Sequence, residues 1–379
     1  MRVAAGVTLC IVLGAALVVG LAARVRPDPT PAGHAAPSPT PPTPPPSPAK
    51  TQARGPSPSP PAVQLSPAAV LAFPSATQGW VVSGGQILAT VNGGRSFTVQ
   101  VAAGTKVRTL DFVSPAVGWA VSAGGLLATT DSGQRWATVG APPQPLGQVS
   151  FWDSKDGLGL ATDNSLWRSA DGGQTWTPVT PGVPAEAVCG ASPTAALVVA
   201  AASVYHSDDG GATWSPVYHL PGGPPAGAGS SVSCTGSAAW VDLRVVVASG
   251  GVGQVVVRSL DGGATWVPVA GAGAALPGVT PLHPSLFIVP GPLGLAAPGA
   301  AFFSGTAASG LAIAATTDGG TTLAAAPIAS RTLQISAVAD LMFADPRHGW
   351  ALATSGRSAS LLQTTNGGAH WGQVAILPG

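Results

Sequence analysis

Charge is what this sequence has least of. Only 8% of its 379 residues are Asp, Glu, Lys or Arg, against about 25% in an ordinary soluble domain. The net charge is +1, so no strong field draws in nucleic acid or acidic substrates. No platform of basic and aromatic residues of the kind that grips nucleic acid is present either. Glutamate occurs once, as Glu186, and tyrosine twice, as Tyr205 and Tyr218. Three cysteines and six histidines, none at metal-ligand spacing, exclude a zinc cluster. The Gly-Gly pairs read as hairpin turns rather than as helix-opening phosphate loops. No cofactor is expected.

Residues 1–26 hold an uncharged run, Val3 to Ala23, between Arg2 and Arg24. Its 21 residues are enough for one membrane-spanning helix. The expectation is a single N-terminal span with an extracytoplasmic domain. The alternative is a signal peptide cleaved near Gly20-Leu21-Ala22, which gives a secreted chain. Residues 27–66 follow as a Pro-rich linker, with 15 prolines between Pro27 and Pro61. Such a stretch lacks the apolar bulk for a core and is expected to be a disordered, extended spacer.

Residues 67–379 are organised by a repeat. TVNGGRSF starts at Thr90, TTDSGQRW at Thr129, SADGGQTW at Ser169 and SDDGGATW at Ser207. SLDGGATW starts at Ser259, TTDGGTTL at Thr316 and TTNGGAHW at Thr364. Successive starts are 39, 40, 38, 52, 57 and 48 residues apart, a period that indicates a propeller or solenoid. A second signature lies upstream: Phe73-x5-Gly79-Trp80, Phe112-x5-Gly118-Trp119, Phe343-x5-Gly349-Trp350, and the softened Phe151-x5-Gly157-Leu158. Each repeat divides into four short strands. The first ends at the Phe, the second begins at Gly-Trp, the third is a run like Ile87 to Thr90, and the fourth begins at the motif Trp. Four antiparallel strands per repeat make one blade. The fold expected is therefore all-β: a seven-bladed β-propeller preceded by an apolar helix and a Pro-rich linker. The blades are expected to close side by side, without a blade shared between the two ends of the chain.

In the motif the turn positions are Asn92, Asp131, Asp171, Asp209, Asp261, Asp318 and Asn366. Each side-chain oxygen is placed to accept hydrogen bonds from its own turn, and the preceding Ser or Thr hydroxyl locks the turn from the other side. Asn keeps the acceptor where it replaces Asp. The aromatic positions Phe97, Trp136, Trp176, Trp214, Trp266 and Trp371 are expected between the sheets, while Leu323 replaces Trp in the sixth copy. Seven equivalent carboxylates around a ring read as structural, not catalytic. The sixth repeat departs furthest from the pattern, with an irregular section from Phe287 to Phe303.

The S/T-x-D-x-G-x-T-W motif is the Asp-box, or bacterial neuraminidase repeat. Together with F-x5-G-W, it makes residues 66–379 resemble the photosystem II stability/assembly factor family and its relatives outside photosynthesis. The resemblance implies a propeller that binds protein and serves the assembly of a membrane or envelope complex. In that family, partner binding is linked to an Arg-rich surface, and no such cluster stands out here. Sialidases, sortilin-type receptors and glycosidases also carry Asp-boxes. The sialidase set of three Arg, a Tyr–Glu pair and an Asp is absent. A glycosidase needs two carboxylates at defined separation. Asp111, Asp153, Asp156, Asp163, Glu186, Asp242, Asp340 and Asp345 are the candidates, and no pair stands out among them. Carbohydrate binding or glycoside hydrolysis remains the alternative reading.

Asp-boxes and F-x5-G-W turns share one face of the ring. The opposite face, with two long connections at His219–Ser231 and Gly271–Ser285, is the expected binding face, and Lys106, Arg108, Asp163, Glu186, His219, Arg244 and Arg357 are its polar residues. The partner expected is an unidentified protein, reached from the membrane through the N-terminal segment, by a monomeric propeller. Cys189 and Cys234 fall near the ends of successive first strands, where other repeats have Phe. A disulfide between them is expected, with two free buried thiols as the competing possibility.

Overall fold

The computed structural model describes residues 65–377 apart from 141, 193, 221–229, 247–251, 274–275, 277 and 329–334. The apolar run 3–23 and the Pro-rich stretch 27–64 lie outside these. Among the described residues no helix is long and apolar enough to cross a membrane. The one helical element there is the short 3-10 turn Ala103–Thr105.

The described strands form seven sheets, each built on four consecutive strands paired antiparallel in chain order, with a fifth strand added to one of them. This is a seven-bladed β-propeller. The first strands are Val70–Ala72, Val107–Phe112, Leu146–Phe151, Ala187–Gly190, Ser231–Thr235, Val289–Ala297 and Ala337–Phe343. Each packs against the first strand of the next blade, and the last packs against the first. The ring therefore closes side by side, with no blade built from both ends of the chain.

Burial follows position within the blade. Second strands such as Gly79–Ser83, Gly157–Ala161 and Ala196–Ala200 are buried along their whole length. They lie mid-sheet with a blade on either side, so they read as continuous apolar runs rather than as alternating ones. Fourth strands such as Ala137–Thr138 are exposed. Leu65, 2% exposed, packs with Leu71, Phe73 and Trp350, and the Ser66 N–H donates to Ser83 Oγ at 2.7 Å. These two residues therefore belong to the ring.

Three details differ from the sequence reading. Fourth strands begin one residue after the motif aromatic, at Thr98, Ala137, Thr177, Ser215, Val267, Ala324 and Gly372, because the aromatic still belongs to the turn. The sixth repeat makes a full sheet from Val289–Ala297, Ala300–Ala307, Gly310–Thr316 and Ala324–Pro327, although its first strand carries two register shifts inside the section read as irregular. Phe302 and Phe303, both buried, supply the aromatic bulk of that blade. Lastly, the connection read as Gly271–Ser285 is partly strand. The fourth strand of blade 5 runs on to Gly273, and His283–Phe287 pairs parallel to it as a fifth strand.

Candidate functional site

The Asp-box turns use their polar atoms internally. In blade 3, Ser169 Oγ accepts the Gly173 N–H at 2.8 Å and donates to Asp171 Oδ1 at 2.9 Å. Asp171 Oδ1 accepts the Thr175 N–H at 2.9 Å, and Oδ2 accepts the Thr175 hydroxyl at 2.6 Å. Asp131, Asp209, Asp261 and Asp318 accept in the same way from Arg135, Thr213, Thr265 and Thr322. Asn92 and Asn366 accept from Ser96 and His370. The two box glycines, with φ of 75° and 88° at Gly172 and Gly173, hold the left-handed backbone that the turn requires. These bonds stabilise the charged form. The hydroxyl of Thr265 is the main cause that lowers Asp261 to about 2. The N–H of Thr322 is the main cause that brings Asp318 to about 2.

The box aromatics are half-buried, not enclosed between sheets. Trp176, Trp214 and Trp266 fold back so that Nε1 donates to the carbonyl of the second box glycine, at 2.9–3.0 Å. The enclosed aromatics are those of the second signature: Trp80 and Trp350 are 0% exposed. Its geometry explains the F-x5-G-W pattern. The Phe ring lies on the glycine of its own blade, where an added Cβ at Gly118 would meet Phe112 Cδ1 at 2.4 Å. It then stacks on the Trp of the preceding blade. Phe112 stacks on Trp80 at 3.9 Å, Phe151 on Trp119 at 3.7 Å and Phe73 on Trp350 at 3.9 Å. The indoles reach one blade further, with Trp119 Nε1 donating to the Gly172 carbonyl and Trp350 Nε1 to that of Gly93.

Around the axis, the residue just before the Phe position clasps the next blade. Asp111 Oδ2 accepts the Phe151 N–H at 2.6 Å. Ser150 Oγ accepts the Gly190 N–H at 3.1 Å. Met342 Sδ accepts the Phe73 N–H at 2.9 Å. Cys189 holds this same position, one residue before the Phe equivalent, as its pairing with Leu197 shows. It is joined by a disulfide to Cys234 in blade 5, with Cα atoms 6.0 Å apart. Asp340 adds a bond from the Leu71 N–H at 2.8 Å. Loss of hydration dominates both carboxylates, raising Asp111 to about 7 and Asp340 to about 6 against the partial relief of their N–H donors. Sequence reasoning named these two aspartates but missed the role. The signal available was their place at or near the residue before Phe.

The polar residues assigned to the opposite face all lie at that end of their blades but are spread over blades 2, 3, 4, 5 and 7. Lys106 and Arg108 are exposed on blade 2, and Arg357 on the turn between second and third strands of blade 7. Asp163 accepts from Ser165, Glu186 Oε1 from the Ala201 N–H, and His219 Nδ1 bonds Ser203 Oγ. Arg244 pairs with buried Asp242 through Nε and a terminal nitrogen, at 3.1 and 3.0 Å, and reaches the Gly291 carbonyl of blade 6. Burial raises Asp242, and Arg244 partly offsets it. Most of the connection His219–Ser231 lies outside the described residues. Asp153 and Asp345 cap their own turns, and Asp156 pairs with Arg168 at 3.3 Å. Among the described residues no three His, Cys, Asp or Glu side chains converge as a metal site requires.

Two cavities of about 300 Å³ stand out among the described residues. One, of about 320 Å³, opens on the first strands of blades 5, 6 and 7, beside Cys234, Leu295 and Met342. The other, about 300 Å³ and mainly apolar, lies on the Asp-box face between blades 4 and 5.

A model of the BNR/Asp-box repeat matches residues 205–216, the box of blade 4. No curated protein matches the chain. Solved structures share the fold. YCF48 bound to D1 peptide is 18% identical, over 80% of this chain and 96% of that one, with a TM-score of 0.56. YCF48 from Cyanidioschyzon merolae is 14% identical, over 81% and 97%, with a TM-score of 0.53. An ancestral GH74 enzyme is 11% identical, over 82% of this chain and 46% of that one, with a TM-score of 0.55.

Proposed function

We propose that this chain, an Asp-box β-propeller with the fold of the YCF48 structures, is a protein-binding scaffold held at a membrane by its N-terminal segment. Its task in this reading is the assembly or stability of a membrane or envelope complex. The observation that carries the reading is the use of charge. The box carboxylates are saturated by their own turns, and Asp111 and Asp340 are bonded to the backbone of the neighbouring blade. Asp242 is held by Arg244. The scarce charge thus goes into a rigid closed ring, and rigid, pre-organised surfaces bind with little ordering cost. The likeness to YCF48, a structure of which holds a D1 peptide, supports a polypeptide as the ligand. The uncharged run Val3 to Ala23 supports the tether.

Glycan binding or hydrolysis is the second reading, supported at the level of fold by the GH74 likeness. Asp111 and Asp340 have the raised carboxyls of a general acid, but their oxygens are engaged as clasps. A glycan array and hydrolysis assays on β-glucan polymers separate the two readings. The scaffold reading expects neither binding nor turnover, and turnover abolished by Asp111→Asn would overturn it. Alkaline extraction of membranes tests the tether: the full chain should stay in the pellet, and its quantitative release would contradict a span.

A further inference from the structure

The cavity between blades 4 and 5 lies where other blade junctions hold a ring stack. At the junction of blades 2 and 3 that stack is Trp119 on Phe151, and at the junction of blades 7 and 1 it is Trp350 on Phe73. Strand register gives the equivalents at the junction of blades 4 and 5. Leu197 takes the Trp place and Cys234 the Phe place, while Ala239 takes the place of the glycine under the Phe ring. Both rings of the stack are thus missing at this junction, as they are between blades 3 and 4, where Leu158 and Gly190 hold the two places. Where blade 4 lacks its own Phe, the loss is repaired: Trp152 of blade 3 covers Gly190, whose added Cβ would meet that indole at 2.0 Å. Between blades 4 and 5 nothing comparable moves in, and about 300 Å³ stays open, walled by Leu197, His206, Ser237, Ala239 and Gly262.

The wall also keeps the polar partner of the missing ring. At four junctions the carbonyl of the first box glycine, or of the Ser in its place, accepts a bond from the preceding blade. Gln100 donates to Ser132, Trp119 to Gly172, Arg258 to Gly319 and Trp350 to Gly93. Gly262 is the equivalent residue at the cavity, and among the described residues no donor reaches its carbonyl. An apolar slot the size of a large side chain, with one acceptor at the place where an indole N–H binds elsewhere in the same molecule, is a small pocket with a convergent polar group.

We infer that this cavity binds the indole of a tryptophan side chain presented by a partner polypeptide, which completes the junction as Trp119 and Trp350 complete theirs. The inference rests on the protein-binding reading and adds a site and an anchor residue to it. Buried tryptophans are common anchors at protein interfaces. No Asp, Glu, Lys or Arg lines the slot, so a peptide-like ligand with blocked termini suits it better than zwitterionic free tryptophan.

The test uses the full chain and N-acetyl-5-fluorotryptophanamide, followed by fluorine NMR and by amide shifts of Gly262 and Gly263. A single saturable site is expected, with a dissociation constant on the order of 1 mM, as for other fragments of this size. The indole N-methyl analogue and free tryptophan should each bind at least about 5-fold more weakly, the former through loss of one hydrogen bond. Leu197→Trp, which restores the residue of other blades, should abolish binding and raise Tm. Ser237→Phe, at an exposed position on the rim, should block the site from the other wall and covers the case that Leu197→Trp does not fold. No saturable binding to the wild type would overturn the inference, as would binding that both variants leave unchanged. A partner that binds wild-type chain and Leu197→Trp equally well would remove this pocket while leaving the scaffold reading intact. Loss of that partner in both variants supports the pocket.

Discussion

Trp350 and Trp176 show how far two tryptophans in adjacent motifs differ in role. Trp350 is enclosed, stacks on Phe73 and donates to the Gly93 carbonyl of the next blade. Trp350→Ala is expected to cost about 3–5 kcal/mol, the range for deleting a buried large aromatic. Trp176 is half-buried and bonds only within its own turn. Trp176→Ala is expected to cost less, about 1–3 kcal/mol. Urea melts of the two variants check the order, and equal losses would put the box aromatic back in the core. The sequence pattern marked both as structural. It did not show which was enclosed, because the Asp-box Trp stands at a turn and only the fold decides how far that turn is covered.

The clasp carboxylates make stability depend on pH. Asp111 titrates near its ordinary 3.8 when unfolded and at about 7 when folded. Between those values the folded state binds more protons, so stability falls as pH rises from about 4 to about 7 and stays reduced above. Asp340 acts likewise between about 4 and about 6. Box residues such as Asp261 and Asp318 act oppositely, with stability lost as pH falls from about 4 towards 2. Asp111→Asn keeps an acceptor for the Phe151 N–H without the charge. It should raise Tm at pH 8 and leave Tm at pH 4.5 nearly unchanged. A lower Tm at pH 8 would show that the charge itself is needed.

At the scale of the element, the blade is legible in the sequence wherever a motif fixes it. F-x5-G-W and the Asp-box each pin one turn, and two pinned turns set the register of all four strands. Gly118→Ala tests the first of these. The new Cβ would meet Phe112 at 2.4 Å, so a loss of about 1–3 kcal/mol from overpacking is expected, with Phe112→Leu as the relieving second change. Legibility stops where a motif is absent. The strand His283–Phe287 arises from a Gly-, Ala- and Pro-rich connection that carries neither motif, and blade 6 keeps four strands although Leu295 stands at its Phe position and Leu323 at its box Trp position. The pocket between blades 4 and 5 was missed for a related reason. It is marked by two residues that are not aromatic, and an absence becomes visible only when the register is known.

The Cys189–Cys234 bridge also belongs to this scale, since it replaces a hydrogen-bonded clasp with a covalent one between adjacent blades. It closes a sequence separation of 45 residues, for which chain entropy gives about 4 kcal/mol. Replacing both cysteines by serine should lower stability by roughly that amount. Thiol labelling of denatured, unreduced protein should find neither residue reactive.

At the scale of the whole molecule, the ring is a chain of junctions rather than a set of independent blades. Each junction uses one or more of an aromatic contact, a bond to the next box and an axial clasp, and those of blades 2 with 3 and 7 with 1 use all three. The seventh junction, Trp350 with Phe73 and Asp340 with Leu71, ties the chain's last blade to its first. Such a closed and internally saturated frame offers its rims and cavities to a partner without rearranging. The most direct measurement is cross-linked capture of the full chain from native membranes, with partner stoichiometry quantified against the same capture by a chain carrying the Trp350→Ala change, assayed where that variant is still folded. One polypeptide retained at near one-to-one by both is the expected result, since Trp350 is fully enclosed within the frame. Recovery of no polypeptide above background, together with hydrolysis of a glycan by the same preparation, would contradict a protein-binding scaffold.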